Sequence, residues 1–222
     1  MFRDKSIEVG HYWIIDSNGT KEYKADGTLV SSNSNRTSWT CPDTGSYYLE
    51  LHGKGGDGAA GVGKENADYV AGMYYYTHSC ASGGGGGGSG AYTSMALNGG
   101  DVVACQIANE VRFGGYQCAP GYDGYEGSAN ATYWNKNNFS PGIGGGRGEG
   151  APNMITLSTS GSDGSGDSAL QSYVRTQGGS GGSGGSTIGN YGDGGMGGGG
   201  DSGISSNPGT VGKLGAIIIK KQ

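Results

Sequence analysis

The sequence predicts an all-β, irregular fold: a small N-terminal β-meander followed by a glycine-rich domain of packed polyglycine II helices with a few β-strands. Three observations predict it. Glycine fills 52 of 222 positions, where about 7% is ordinary. Leu, Ile, Val and Phe together number 30 of 222, below the roughly 20% under which a conventional core becomes scarce. The net charge is only −5, too small for the charge-driven disorder that such a composition otherwise suggests. An ordinary helical or α/β enzyme of this length does not fit these numbers. An ordered fold that uses glycine backbone as building material does.

Residues 1–37 are sparse in glycine and carry hairpin punctuation. Tyr12 to Ile15, Thr20 to Lys24 and Thr28 to Val30 read as strands, separated by Asn18-Gly19 and Asp26-Gly27. These dipeptides supply the positive φ of tight turns. The result is the meander, with Ser31 to Ser38 as a polar linker or long loop. Residues 38–222 form the second unit. It opens on Trp39-Thr40-Cys41-Pro42 and a strand from Ser46 to His52. In that strand Tyr47, Leu49 and Leu51 share one face, and Tyr48, Glu50 and His52 the other.

From Gly53 onward glycine tracts alternate with richer inserts. The tracts lie near 53–63, 82–90, 142–150, 161–166 and 178–203. Gly178 to Ser186 keeps a strict period of three, the repeat of the polyproline II type of helix, which has no internal hydrogen bonds. Each buried N–H and C=O must then find a partner on a neighbouring segment. Only glycine lets backbones approach closely on several sides. Further strands are predicted at 101–107, 154–157 and 214–219, and one short helix at most at 168–175.

Little in the sequence promises catalysis. Gly53-Lys54-Gly55-Gly56-Asp57-Gly58 matches GxGxxG, but at this glycine content chance supplies about three matches. Gly58 to Lys64 resembles a phosphate loop, yet Glu65 stands where Ser or Thr would hold magnesium. His11, His52 and His78 lack a paired nucleophile. Cys41, Cys80, Cys105 and Cys118 lack zinc spacing. Asp163, Asp167, Asp193 and Asp201 lack EF-hand spacing. No catalytic residue, metal or cofactor is expected. Asp123 and Glu126 are a close carboxylate pair in an aromatic insert, the arrangement a glycan-cleaving enzyme would want. For Cys80 and Cys118 a mutual disulfide and free thiols are both open. The acidic balance argues against nucleic acid. The run Ala216 to Ile219 is too short for membrane insertion, and the residues behind Met1 do not read as a secretory signal.

The inserts carry the informative chemistry. They span 64–82, 109–141 and 167–177 and mix Tyr and Trp with Asn, Ser and Gly, the palette of recognition loops. The candidate contact residues are Tyr74, Tyr75, Tyr76, Tyr125, Tyr133, Trp134 and Tyr173.

Three segments in order carry a resemblance. They are Trp39 to Gly56, then Gly83 to Val103, then Gly215 to Ile219. Together they resemble glycine-rich domains of bacteriophage tail-fibre tips and receptor-binding proteins over roughly 38–220. The alternation of tracts and loops is similar to the separate adhesins of T-even-type long tail fibres. The resemblance implies a sandwich of glycine helices whose loops contact a host-cell surface protein or glycan. It implies a virion location at a tail fibre or tail tip after synthesis in the host cytoplasm, contacts with other tail or fibre proteins, and one or three copies per tip, so a homotrimer is among the options. Residues 1–37 match no assembly segment of those adhesins and are expected to be an attachment module or the end of a stalk. The alternative reading is a purely structural virion component, such as a fibre cap or capsid decoration.

Overall fold

The computed structural model describes residues 7–204 and 206–222. Its described residues are all-β and irregular, with several small sheets and no helix. The meander is β1 (Tyr12–Asp16), β2 (Gly19–Tyr23) and β3 (Leu29–Asn33), followed by β4 (Ser38–Thr40) and β5 (Gly45–His52). A long hairpin, β6 (Gly61–Val70) and β7 (Met73–Ala81), precedes β8 (Ala91–Leu97), β9 (Val102–Ile107), β10 (Val111–Phe113) and β11 (Tyr116–Cys118). Short strands follow: β12 (Ser128–Ala129), β13 (Phe139–Ser140), β14 (Ile155–Thr156), β15 (Gly166–Leu170), β16 (Arg175–Thr176), β17 (Gly200–Asp201) and β18 (Ser206–Asn207). The closing strand is β19 (Ala216–Lys221). The one short helix that 168–175 could at most have held does not form. Its first half is β15, paired with β7, and Gln171 turns the chain at φ 56°.

A seven-stranded sheet runs β14-β8-β5-β19-β1-β2-β3. The meander, expected as a module of its own, is hydrogen-bonded into this sheet through β1 and β19, with Trp13 opposite Ile219 and Ile15 opposite Ile217. The sheet packs on a second one, β11-β10-β9-β4. Alternation along the strands aims Trp13, Ile15, Tyr47, Leu49, Leu51, Ile217 and Ile219 at Trp39, Val111 and Phe113. This is an ordinary apolar core, each large side chain contributing about 1.5–3 kcal/mol by burial.

Beyond that sandwich lies a second kind of interior. Segment 82–90 is extended and belongs to no long strand, yet it is almost completely buried. Its amides take partners in rotation. Gly83, Gly86 and Ser89 donate to Gly198, Gly195 and Gly192; Gly84 and Gly87 donate to Tyr125 and Tyr122; Gly85 and Gly88 donate to Ser162 and Thr159. Its carbonyls alternate likewise. Those of Gly84 and Gly87 accept from Ala59 and Gly56, those of Gly85 and Gly88 from Gly145 and Gly148, and those of Gly83 and Gly86 from Gly179 and Gly182. One segment is thus enclosed by six: 53–60, 119–127, 141–150, 157–165, 177–185 and 192–199. These six also bond to one another in that ring order, and 192–199 closes the ring onto 53–60 through Gly195 to Gly56 and Gly198 to Ala59. Segment 208–215 lies outside, across the seam of 53–60 and 192–199. Consecutive segments run in opposite directions, so the chain goes up and down between the sandwich end and the end that carries the β6–β7 hairpin.

Side chains finish what the backbone leaves open. Outward N–H groups of ring segments are capped by neighbours: Asp57 by Asp123, Gly144 by Asp163, Gly184 by Asp193, Ser180 by Ser162 and Met196 by Thr210; on the outer segment, Gly212 is capped by Asp57. The carboxylates scattered among the glycines therefore have a backbone partner to hold. Among the described residues no cluster of metal-ligating side chains occurs.

At the sandwich end a buried polar contact ties the sheet to the turn after 177–185. His52 faces Glu50 through Nε2 at 3.1 Å and the Ser89 carbonyl through Nδ1 at 3.2 Å. Thr187 donates both its hydroxyl and its amide to the Glu50 carboxylate. Burial alone would raise the Glu50 pKa, but the hydrogen bonds from His52 and Thr187 outweigh it and hold the carboxyl below its ordinary value.

The four cysteines are free, buried thiols. The Cys80–Cys118 bridge is not made, for a geometric reason. Cys118 Sγ lies 3.4 Å from Ser89 Oγ at the sandwich end, whereas Cys80 precedes the hairpin end of segment 82–90. At about 3 Å per residue the two lie on the order of 25 Å apart, far beyond disulfide reach.

Two predictions follow from this interior. In Gly86→Ala the new Cβ would sit 2.1 Å from the Gly56 carbonyl oxygen, whereas in Gly146→Ala the nearest atom is Tyr122 Cδ2 at 3.4 Å. The first substitution should cost about 3 kcal/mol or more and the second under about 1, read as the fall in thermal midpoint. For Glu50, the depressed folded pKa means that its stabilisation is complete above the unfolded carboxyl pKa and lost as pH falls through the folded value. Glu50→Gln should cost about 2 kcal/mol at neutral pH and flatten the acid limb of a stability–pH curve.

Candidate functional site

The seven candidate aromatics can now be placed. Six lie at the hairpin end and one on the flank. Ala71 and Gly72, with φ of 50° and 85°, form the turn that closes β6 on β7. Two consecutive positive φ values are the signature of the tight turn that matches strand twist. The register sets Tyr69 opposite Tyr74, Asp68 opposite Tyr75, Ala67 opposite Tyr76 and Glu65 opposite His78. Paired residues share a face, so Tyr74 and Tyr76 leave one side of the ribbon and Tyr75 the other.

On the Tyr75 side the ribbon holds loop 130–138. Asn66 donates to the Ala131 carbonyl, Asp68 accepts the Tyr133 amide at 2.8 Å, and Lys64 reaches Asn130 at 3.0 Å. This brings Tyr75 and Tyr133 to 4.9 Å between ring centroids and sets Trp134 edge-on to Tyr133 at 5.0 Å. The Lys136 ammonium stands 5.7 Å over the Tyr133 ring. Trp134 is 78% exposed, a large apolar surface that is held in place yet uncovered.

On the other side Tyr69 and Tyr74 meet at 5.0 Å. Tyr173 rests on the buried His78 ring at 4.4 Å and stays exposed. The Gln171 amide donates to the Tyr76 carbonyl, fixing the loop that carries Tyr173. His78 Nδ1 is 3.4 Å from Glu65 Oε2 but is not aligned for a hydrogen bond. Burial pushes the Cys80 thiol up, which makes it a weak nucleophile.

Tyr125 is separate. Insert 109–141 does not stay outside the bundle: its middle, 119–127, is a ring segment, and Tyr125 protrudes from it beside the exposed Ile143. Tyr122 protrudes one repeat earlier. Of the Asp123 and Glu126 pair, Asp123 is engaged by the backbone, its carboxylate capping the Asp57 amide. Sequence reading missed Tyr69 as a partner of Tyr74. The turn dipeptide Ala71-Gly72 was the signal that could have placed it.

If Asp68 anchors the loop, then Asp68→Ala should raise amide exchange across 130–138 by about tenfold while the global unfolding free energy changes by less than about 1 kcal/mol. Hydrogen-exchange mass spectrometry reads the first quantity and denaturant titration the second. No protein family matches the chain, and no curated protein is similar to it in sequence.

Proposed function

We propose that the chain is the receptor-binding tip of a bacteriophage tail fibre, working without enzymatic activity, with aromatic loops carried on a scaffold of polyglycine II helices. The observation that carries this reading is the division of labour between the two ends. Six of the seven candidate aromatics gather at the hairpin end, three on the β6–β7 ribbon and three on loops stitched to it, while the apolar core and both chain-terminal strands of the large sheet lie at the other. A period-three, backbone-paired bundle between them fits the polyglycine II geometry expected from the sequence. Loops held in place before contact lose little conformational freedom on binding. Exposed Tyr and Trp give large contact area with few rotatable bonds. The partner is a host-cell surface protein or glycan.

The test uses the purified chain. Fluorescently labelled protein should bind intact cells of a susceptible bacterial strain and block phage adsorption. Replacing Tyr74, Tyr75, Tyr133, Trp134 and Tyr173 together by alanine should weaken cell binding by at least about a hundredfold, since anchors of this kind dominate interface energetics. Adsorption that survives these substitutions in a folded protein would defeat the reading.

A further inference from the structure

We propose that the cleft between Tyr173 and the Arg175–Asp201 pair is a subsite for a neutral pyranose sugar. This rests on the receptor-binding reading and names the ligand class for one part of that surface. The cleft is open, about 460 Å³, and lined by Tyr173, Arg175, Asp201 and Gly203. It is built before any ligand arrives. Strands β16 and β17 place Arg175 directly opposite Asp201. Val174 and Ser202 exchange hydrogen bonds beside them, from the Val174 amide to Ser202 Oγ at 3.0 Å and from the Ser202 amide to the Val174 carbonyl at 3.1 Å.

Each wall offers what a sugar needs. Tyr173 is seated on His78 and is 68% exposed. An open aromatic face of this kind accepts the C–H face of a pyranose ring. Glycine at 203 keeps the cleft open beside that ring, since a Cβ there would lie 3.6 Å from the ring carbons. Asp201 is nine-tenths buried and accepts from Arg175 Nε at 2.8 Å and from the Gly203 amide at 2.9 Å. That single Nε contact leaves the terminal nitrogens of Arg175, whose side chain is 80% exposed, to donate to hydroxyl groups.

The charges decide the class. Arg175 and Asp201 neutralise each other, so a phosphate or carboxylate gains no net attraction and meets Asp201 as a like charge. An apolar side chain would cover the pair and leave its remaining donors without partners. A neutral ring with several hydroxyls satisfies both the donors and the aromatic face.

The experiment is saturation-transfer NMR on the whole chain with methyl glycosides of glucose, galactose, mannose and N-acetylglucosamine, and with inorganic phosphate followed by ³¹P line broadening. At least one glycoside should bind at millimolar concentration, with saturation strongest on one ring face. Tyr173→Ala and Arg175→Gln should each weaken it by about tenfold or more, while Tyr122→Ala on the flank leaves it unchanged. Failure of every glycoside, a preference for phosphate, or equal binding by Tyr173→Ala would overturn the proposal. Cell binding by the same variants separates it from the broader reading. Cells bound through Tyr173 without any glycoside binding would exclude the sugar and keep the receptor. Glycoside binding by a chain that binds no cells would keep the sugar subsite and defeat the receptor reading.

Discussion

Everything in this protein depends on how a buried extended backbone satisfies its own hydrogen bonds. A β-strand solves the problem with two neighbours. Segment 82–90 solves it with six, because its polar groups point in three directions in turn and each direction serves a donor to one neighbour and an acceptor from another. That arrangement requires main chains closer together than any Cβ allows. Glycine is therefore the consequence of the packing and not a mark of looseness. The low apolar content has the same origin: where backbone packs on backbone, no volume is left for side chains to fill.

The two interiors are complementary. The sandwich gives the molecule a region stabilised by apolar burial, and the Glu50–His52–Thr187 contact ties the bundle to it. The bundle carries that order to the opposite end, where the β6–β7 ribbon holds loops on both of its faces. Surface carboxylates and hydroxyls complete the outer layer by capping amides that the ring leaves exposed. The aromatic surface is thus supported by rigid main chain and needs no core of its own.

Much of this was legible in the residues. The punctuation at Asn18-Gly19 and Asp26-Gly27 located the meander strands, and the alternation in 46–52 assigned the face that enters the core. The glycine tracts pointed to packed extended segments. Segments 119–127 and 208–215 were overlooked because glycine density was the guide. Their signal was phase: Gly121, Gly124 and Gly127, and Gly209, Gly212 and Gly215, recur every third position. One glycine in three suffices where only one side of a segment is crowded, and the other two positions are free to be Tyr, Asp, Thr or Lys. The pairing of β1 with β19 was not legible, since nothing local links residues two hundred positions apart. The two sides of the aromatic ribbon were hidden for a related reason, because alternation assigns faces only once strand register is known.

The ring has a further consequence, for the order of events during folding. The enclosed segment is the second of eight in the chain, and five of its six neighbours follow it. No early portion of the polypeptide can pair its amides, so partial assemblies of the bundle expose unpaired glycine backbone and gain little. Contacts must be closed over long sequence separations before any of them is rewarded, which slows folding and sharpens it. Such a chain matures late, as a unit, with the central amides the last to become protected.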